Sequence, residues 1–244
     1  MKENENIVKD KTQDTGQKIP NVQEPSSDGS FKMLRALVGI GVVCALLIVF
    51  TFEVSKPRIK QLKQEALEKA IGKVIPGITS SKTFILNTNG TFAPHTGEAN
   101  GNQLVYAGYD ASNQLKGIAI EAAGQGYADI IRVLYGYDPE SQSIIGFYVL
   151  ESKETPGLGD KIEKDPTFLA NFEKLEVALE TSGDSLKNEI ITVKKGMKQH
   201  PWEIDGITGA TISSRAIGDI LNNNTRFMIP LVYKNKESFK NQTE

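Results

Sequence analysis

The chain has 244 residues, of which 24% are charged and 7% aromatic, and its formal net charge at pH 7 is −2. This length suffices for one well-buried domain with appendages, and the charge balance lacks the basic excess that is typical of nucleic-acid-binding proteins. Cys44, His95 and His200 are the only cysteine and histidines. They cannot form a disulfide or match the ligand spacing of an iron–sulfur or zinc site, so we expect neither a side-chain metal site nor a nucleic-acid partner.

Residues 1–30 are rich in Lys, Glu, Asp, Asn, Gln and Ser and contain almost no large apolar side chains. Such a composition cannot bury enough apolar surface to offset the entropy of an ordered chain. The segment is therefore predicted to be a disordered N-terminal tail.

An uncharged apolar segment follows the tail, with the sequence ALVGIGVVCALLIVFTF from Ala36 to Phe52. A helix of about 20 residues spans the hydrocarbon core of a bilayer. A buried core helix is the alternative, but core helices of soluble proteins seldom run this long without a charge. A cleaved signal peptide usually has a shorter apolar region that lies close to the N-terminus. We therefore predict a retained transmembrane anchor over residues 31–54, with the lipid bilayer as its partner.

Residues 55–76 carry apolar side chains at helical spacing. Pro57 suits a first helical turn, and Pro76 with Gly77 ends the pattern. This segment is predicted to be an amphipathic juxtamembrane helix, either a stalk or the first element of the domain. The apolar positions are Ile59, Leu62, Ala66, Leu67, Ala70, Ile71 and Val74.

Residues 77–232 are predicted to form one domain. Short segments rich in Ile, Val, Tyr and Phe, separated by turn residues, indicate antiparallel hairpins. A helical stretch around residues 165–175, a strand over residues 189–196 and a helix ending near Asn222 follow. The predicted fold class is α+β, with a single N-terminal transmembrane helix, one domain built on an antiparallel sheet with flanking helices, and a C-terminal tail over residues 233–244. The hairpin segments are KTFILN, QLVYAGYD, LKGIAIEAAG, ADIIRVLYGYD and SIIGFYVLESK.

The motif DGITGAT, at residues 205–211, lies where the last helix is predicted to begin. It has neither the lysine of a Walker A loop nor the glycine spacing of a dinucleotide fingerprint. A helix cap is the simplest interpretation, because Thr208 or Thr211 could accept a backbone amide. Capping does not account for the two glycines and the alanine, which leave the backbone open to a ligand. Free amides at a helix N-terminus favour an anion, so the motif predicts a threonine hydroxyl beside a phosphate site.

The same motif matches the pattern D-x-x-S/T-G-A-S/T and resembles the flavinylation site of FMN-binding domains in membrane redox complexes. The resemblance implies that Thr211 carries FMN through a phosphoester bond, which makes the chain a phosphoprotein, and that a separate flavin transferase attaches the cofactor. It further implies that Asp205 orients the loop or is recognised by the transferase. Thr208, Gly209 and Ala210 would lie along the phosphate and the ribityl chain.

A second motif, ETPGLG at residues 154–159, precedes TGAT by about fifty residues. By itself it predicts a strand end that turns through Pro156 and Gly157. The pairing of the two motifs resembles the G subunit of the Rnf complex and the C subunit of the sodium-translocating NADH:quinone reductase. The longer run GYADIIRVLYGYD…IIGFYVLESKETPGLGDKIE and the plan of one anchor and one domain are most similar to the Rnf G subunit. This resemblance implies that the turn approaches the isoalloxazine ring through Glu154, Thr155, Gly157, Leu158 and Gly159.

The resemblance implies a membrane-anchored flavoprotein subunit that relays electrons through covalently bound FMN. It would act within an Rnf-type complex, a translocase that couples electron transfer between ferredoxin and NAD to ion translocation. Its partners would be the other Rnf subunits, and it would have no catalytic residue of its own. The alternatives are the quinone-reductase C subunit, a membrane-anchored flavin-binding sensor or assembly factor, and a scaffold domain in which DGITGAT is only a cap.

The sequence gives conflicting indications of the side of the membrane on which the domain lies. Lys32 and Arg35 precede the anchor, but four basic residues follow it over residues 56–63, and the positive-inside rule then places the domain in the cytoplasm. The resemblance instead implies a single-pass protein of the cell (inner) membrane with its large domain on the extracytoplasmic side, because flavin attachment in the family occurs there.

Several residues near the motifs have two interpretations. Tyr127 is either a neighbour of the ring or, more commonly for such a residue, a core tyrosine. Lys194, Lys195 and Lys198 either neutralise a phosphate or solvate an exposed edge.

Overall fold

The computed structural model describes residues 27–97 and 101–240. Most of the predicted N-terminal tail and the last four residues of the predicted C-terminal tail lie outside the described residues. The chain divides into two compact units, Met1–Arg58 and Ile59–Glu244.

Helix α1 spans Ser27–Val74 and contains Pro57. It begins four residues before the predicted anchor, and the two helices predicted over residues 31–76 are one continuous helix. Proline removes one backbone hydrogen bond from a helix, and here α1 continues on both sides of it. The large apolar side chains from Phe31 to Val54 are exposed, and the helix is long and apolar enough to cross a membrane. The Thr51 hydroxyl donates to the carbonyl of Leu47 at 2.7 Å, so this polar group is satisfied within the helix.

The second unit is built on a seven-stranded sheet in which every neighbouring pair is antiparallel. All five predicted hairpin segments form strands of it, and the α+β prediction is confirmed. The strands are β1 Ser80–Leu86, β2 Phe92–Pro94, β3 Leu104–Tyr109, β4 Leu115–Gln125, β5 Ile130–Asp138, β6 Ser143–Glu151 and β7 Leu175–Glu176, in the order β2-β1-β3-β4-β5-β6-β7. A separate parallel pair consists of β8 Ile191–Val193 and β9 Glu203–Asp205.

The helical stretch predicted around residues 165–175 is broken into short pieces before β7. Asp165 caps the second piece, because its Oδ1 accepts the backbone amides of Thr167 at 2.9 Å and Phe168 at 3.3 Å. The last long helix reaches well past the predicted end near Asn222, because buried apolar positions continue at helical spacing through Val232. The elements are α2 Lys161–Lys164, α3 Pro166–Leu169, a 3₁₀ turn Ala170–Phe172, α4 Thr211–Lys234 and a 3₁₀ turn Lys236–Phe239.

The two faces of the sheet are covered by different helices, as the alternation of side chains along a strand allows. On one face, Ile217 and Leu221 of α4 join Val133 of β5 in a buried cluster. On the other face, the end of α1 contributes Val74 and its apolar neighbours to a second cluster. A Cβ atom at Gly136 would lie 2.0 Å from the carbonyl oxygen of Val74, so only glycine lets α1 approach the sheet here. The end of the predicted juxtamembrane helix is therefore part of the domain.

The predicted C-terminal tail over residues 233–244 is wrong at its start, because the domain extends to Phe239. This side chain is fully buried, and its ring lies 5.0 Å from the rings of Phe84 and Phe92. The Tyr109 hydroxyl donates to its carbonyl at 2.6 Å. Burial of a large aromatic side chain is a strong stabilising term, and it holds the segment around Phe239 against the sheet.

Candidate functional site

Helix α4 begins at Thr211, with Ala210 at the N-cap position and no side-chain cap. The prediction that Thr208 or Thr211 caps this helix is therefore wrong. Ser214, one turn inside, stabilises the loop instead: its Oγ accepts the amide of Ile207 at 3.3 Å and donates to the carbonyl of Thr211 at 3.2 Å. Both threonines are exposed, and neither hydroxyl has a hydrogen-bond partner within the described part of the chain. Thr211 thus presents an unpaired hydroxyl at the first position of a long helix.

Asp205 holds the loop that leads into this helix. Its Oδ1 accepts the amide of Gly196 at 2.6 Å, which closes the connection between β8 and β9. The backbone of Asp205 pairs with the side-chain amide of buried Asn171, through an N–H to Oδ1 contact of 3.0 Å and an Nδ2 to carbonyl contact of 3.1 Å. Of the two roles expected for Asp205, orientation of the loop has this direct geometric support. Sequence reasoning did not identify Asn171, because its partner lies 34 residues away.

Lys198 supports the same cluster, since its Nζ donates to the Asn171 Oδ1 at 3.1 Å. Desolvation by burial lowers the pKa of Lys198, while the charges of Asp205 and Glu203 act in the opposite direction. Of the three lysines considered for a phosphate, only Lys198 donates a side-chain hydrogen bond to another residue within the described parts of the chain.

The ETPGLG segment turns back on itself directly before α2. The amide of Leu158 donates to the carbonyl of Thr155 at 3.1 Å, and the amide of Gly157 donates to Asp160 Oδ1 at 2.7 Å. Gly157 has a φ of 79°, which glycine adopts readily and other residues adopt with strain. Lys164 lowers the pKa of the Asp160 carboxyl through a side-chain hydrogen bond of 2.6 Å. The turn leaves the side chain of Leu158 pointing into solvent, 52% exposed.

Glu154 is buried and joins three segments of the chain. Its Oε1 accepts the backbone amides of Tyr127 at 2.8 Å and Ala128 at 3.0 Å, and its Oε2 accepts the Ser213 hydroxyl at 2.5 Å. A Cβ atom at Gly159 would lie 2.5 Å from the Oε2. Both oxygens of Glu154 are therefore occupied by protein donors, so this residue positions the surrounding loops.

These loops border an open cavity of about 370 Å³, the turn cavity. Seven of the ten predicted site residues line it. Three large side chains on its border are exposed: Tyr127 (63%), Leu158 (52%) and Ile212 (58%). A concentration of exposed apolar side chains is typical of a binding site, and Tyr127 belongs to this surface and not to the core. The lining consists of Tyr127, Glu154, Thr155, Leu158, Gly159, Gly209, Ala210, Thr211, Ile212 and Ser213.

A second cavity of about 720 Å³, the basic cavity, lies between β8 and the start of α4. Thr211 lines both cavities, Thr208 lines only this one, and Asp205 and Gly157 line neither. Sequence reasoning missed Arg215, although its position one turn after Thr211 places both on one helical face. The lining consists of Thr192, Val193, Lys194, Lys195, Met197, Gly206, Ile207, Thr208, Thr211, Ser214 and Arg215.

The chemistry of this site suits a flavin phosphate. Exposed apolar side chains can cover an isoalloxazine ring, cationic side chains can neutralise a phosphate, and an unpaired hydroxyl can form an ester. Within residues 27–97 and 101–240, no cluster of three His, Cys, Asp or Glu side chains could hold a metal ion.

Comparison with known proteins places both motifs inside a recognised domain, because a family model described as an FMN-binding domain matches residues 126–225. The G subunit of an ion-translocating oxidoreductase complex from Methanosarcina acetivorans is 30% identical over 196 residues, covering 78% of this chain and 90% of the relative. The G subunit of the Na⁺-translocating ferredoxin:NAD⁺ oxidoreductase complex from Acetobacterium woodii is 27% identical over 195 residues, covering 79% of this chain and 88% of the relative.

A solved structure is similar in fold. The C subunit of the Na⁺-translocating NADH-quinone reductase from Parabacteroides distasonis aligns with a TM-score of 0.54 at 22% identity, covering 77% of this chain and 98% of that one.

Proposed function

This chain belongs to the family of G subunits of ion-translocating oxidoreductase complexes, and from that premise we propose that it relays electrons through FMN bound covalently at Thr211. It is an electron-transfer subunit of a membrane translocase, and the other subunits of the complex are its partners. The complex couples electron transfer between ferredoxin and NAD to ion translocation. Sequence identity to G subunits supports this function. The quinone-reductase C subunit is the weaker alternative, because its similarity to this chain is in the fold.

The position of Thr211 carries the proposal. Its hydroxyl is exposed and unpaired within the described residues, and it stands between an apolar cavity and a basic one. Bound FMN would supply the electron-transfer chemistry, while the chain supplies position and electrostatics. Leu158 and Tyr127 would pack on the isoalloxazine ring. Thr155 and nearby backbone amides would form hydrogen bonds with the polar edge of the ring. Gly209 and Ala210 would lie beside the ribityl chain, with Thr208 on the phosphate side.

A covalent tether suits a relay site on an open surface. The turn cavity is bordered by exposed side chains, so it does not enclose a ring on all sides. Because an ester bond prevents dissociation, the edge of the ring can remain accessible to an electron donor and an acceptor. The chain offers no carboxylate or histidine to activate the Thr211 hydroxyl in the lining of either cavity, apart from the fully engaged Glu154. A separate flavin transferase would therefore supply the base.

Mass mapping of the full chain tests this proposal. When the chain is expressed in membranes together with a flavin transferase, the peptide that contains Thr211 should carry an FMN-sized adduct. The adduct should be absent from Thr211→Ala and present in the matched variant Thr181→Ala, which changes an exposed threonine outside both motifs. An unmodified wild-type peptide in the presence of an active transferase would overturn the proposal.

We further propose that the domain faces the extracytoplasmic side. The basic residues that follow the anchor are the argument against this topology, yet several have protein partners. Lys63 pairs with Glu151 at 3.1 Å on the domain, and Lys56 lies 3.9 Å from Glu53. These basic residues therefore have a structural role in ion pairs, and their presence after the anchor does not require that the domain lies in the cytoplasm.

Cysteine labelling tests the topology. In a Cys44→Ser background, a cysteine introduced at exposed Thr181 should react with an impermeant thiol reagent in intact cells. Permeabilised cells provide the control for reactivity. Protection in intact cells with reaction after permeabilisation would place the domain in the cytoplasm.

A further inference from the structure

Thr211 lies on the border between two cavities that differ in charge. The turn cavity has one charged residue in its lining, the buried Glu154, which is acidic. The basic cavity has three charged residues in its lining, Lys194, Lys195 and Arg215, and all are cationic. A ligand attached to Thr211 therefore meets opposite electrostatic environments on its two sides.

The three cations are available for a ligand. None of their side chains takes part in an ion pair or hydrogen bond within the described parts of the chain, and all three residues are exposed. Arg226, on the same helix as Arg215, instead pairs with Glu189 at 3.1 Å. Asp165 is the acidic group whose charge interacts with Lys195, and its side chain already caps α3. The cluster thus retains positive charge beside the Thr211 hydroxyl.

We propose that Arg215, assisted by Lys194 and Lys195, binds the phosphodiester of the flavin attached at Thr211. This inference rests on the proposed function. The charge difference then sets the direction of the cofactor, with its phosphate in the basic cavity and its ring in the turn cavity. Turned the other way, the anionic phosphate would face the carboxylate of Glu154.

The geometry of α4 supports this assignment. Residues four apart on a helix share one face, so Arg215 lies on the same face of α4 as Thr211, one turn further from the start of the helix. A guanidinium presents planar donors that match phosphate oxygens, and the unpaired amides at the start of a helix add favourable potential for an anion. Arg215 is a positioning residue: it would not touch the ring, but it would restrict how the ring moves about its tether.

Phosphorus-31 NMR of the flavinylated full chain in detergent reports on this contact directly. The wild type should give one protein-bound phosphodiester resonance. Arg215→Gln should shift that resonance, and Arg215→Lys should restore part of the difference by returning the charge. The matched variant Arg226→Gln, which removes a charge from the same helix, should leave it unchanged. Added salt should move the wild-type resonance toward that of Arg215→Gln, because salt screens exposed charges.

The outcomes separate this inference from the proposed function. Absence of the adduct in the wild type would refute the proposed function. An intact adduct whose resonance is unchanged in both Arg215→Gln and Lys194→Gln/Lys195→Gln/Arg215→Gln would refute the phosphate contact alone. Loss of the adduct from folded Arg215→Gln, with retention in Arg226→Gln, would support phosphate binding already during attachment. If Arg215→Gln does not fold, Lys194→Gln/Lys195→Gln carries the test, with a smaller shift in the same direction expected and no shift as the refuting result.

Discussion

The Ser213 hydroxyl donates a 2.5 Å hydrogen bond to the Glu154 carboxylate across 59 residues of sequence. This contact joins the first turn of α4 to the ETPGLG segment, while the second oxygen of Glu154 accepts two amides from the turn at Tyr127 and Ala128. One buried carboxylate thus joins three of the segments that line the turn cavity.

Glu154→Gln should destabilise the domain. An amide has one acceptor oxygen where the carboxylate has two, so an NH₂ group would face a protein donor. Loss of hydrogen bonds to a buried charged group costs about 1.5–3 kcal/mol, and urea unfolding of the full chain in detergent should show a decrease of this size. Glu140→Gln, at an exposed position, serves as the control. Equal stability of the two variants would contradict the structural role of Glu154.

Gly159→Ala should disturb the same contact by steric overlap. The added Cβ would lie 2.5 Å from the Glu154 Oε2, 2.8 Å from its Cβ and 2.9 Å from the Ser213 Oγ. Overpacking of this kind costs about 1–3 kcal/mol, which thermal unfolding can measure. Gly72→Ala, in the last turns of α1 with no atom within 4 Å, should not lower the melting temperature. A Gly159 variant that melts like its control would argue against this packing.

Gly218→Ala should separate α4 from β8, because its Cβ would lie 2.1 Å from the Thr192 Oγ1. Thr192→Ala removes that atom and should relieve much of the cost. A double-mutant cycle of unfolding free energies should therefore give a coupling within about 0.5–3 kcal/mol, the range for residues in contact. Strictly additive single effects would show that the two residues do not constrain each other.

Asp205 variants distinguish its two expected roles. Asn keeps an oxygen that can accept the Gly196 amide, whereas Ala does not. If Asp205 acts by orienting the loop, Asp205→Asn should keep most of the flavin adduct and Asp205→Ala should lose it, as measured by intact-protein mass. Loss of the adduct from folded Asp205→Asn would instead indicate that the transferase reads the negative charge.

Glu203 should contribute to stability in a pH-dependent manner. A hydrogen bond from the amide of Gln199, supported by that of His200, lowers the pKa of the Glu203 carboxyl. The unfolded chain then binds a proton more readily than the folded chain. The stabilisation by Glu203 is therefore fully present above the ordinary glutamate pKa, and it is lost as the pH falls through the lowered pKa of the folded state. In Glu203→Gln, the melting temperature should fall less steeply with decreasing pH on the acid side of its pH profile. An acid limb as steep as that of the wild type would contradict this assignment.

The anchor, the five hairpin strands and the motif residues could be predicted from the sequence alone, whereas the short strands β2, β7 and β9 were not. The predictable elements depend on local patterns: an uncharged apolar run, alternation along strands, and turn residues that punctuate them. The helix that follows DGITGAT was also predictable, but its end was not, because Met228, Ile229 and Val232 join the buried cluster only where the sheet covers them. Phe239 was misassigned for the same reason, since its burial depends on Phe84 and Phe92.

The contacts of the site residues depend on the tertiary structure. DGITGAT suggested a threonine cap, whereas Ser214 stabilises the loop and leaves Thr211 unpaired. Glu154 was expected near the ring, whereas its oxygens are saturated by the protein. Arg215 lies outside both motifs, and it was identified only because it lines the same cavity as Thr211. A motif fixes which chemical groups are present, but hydrogen bonds and charges between segments distant in sequence determine which of those groups remain free to meet a ligand.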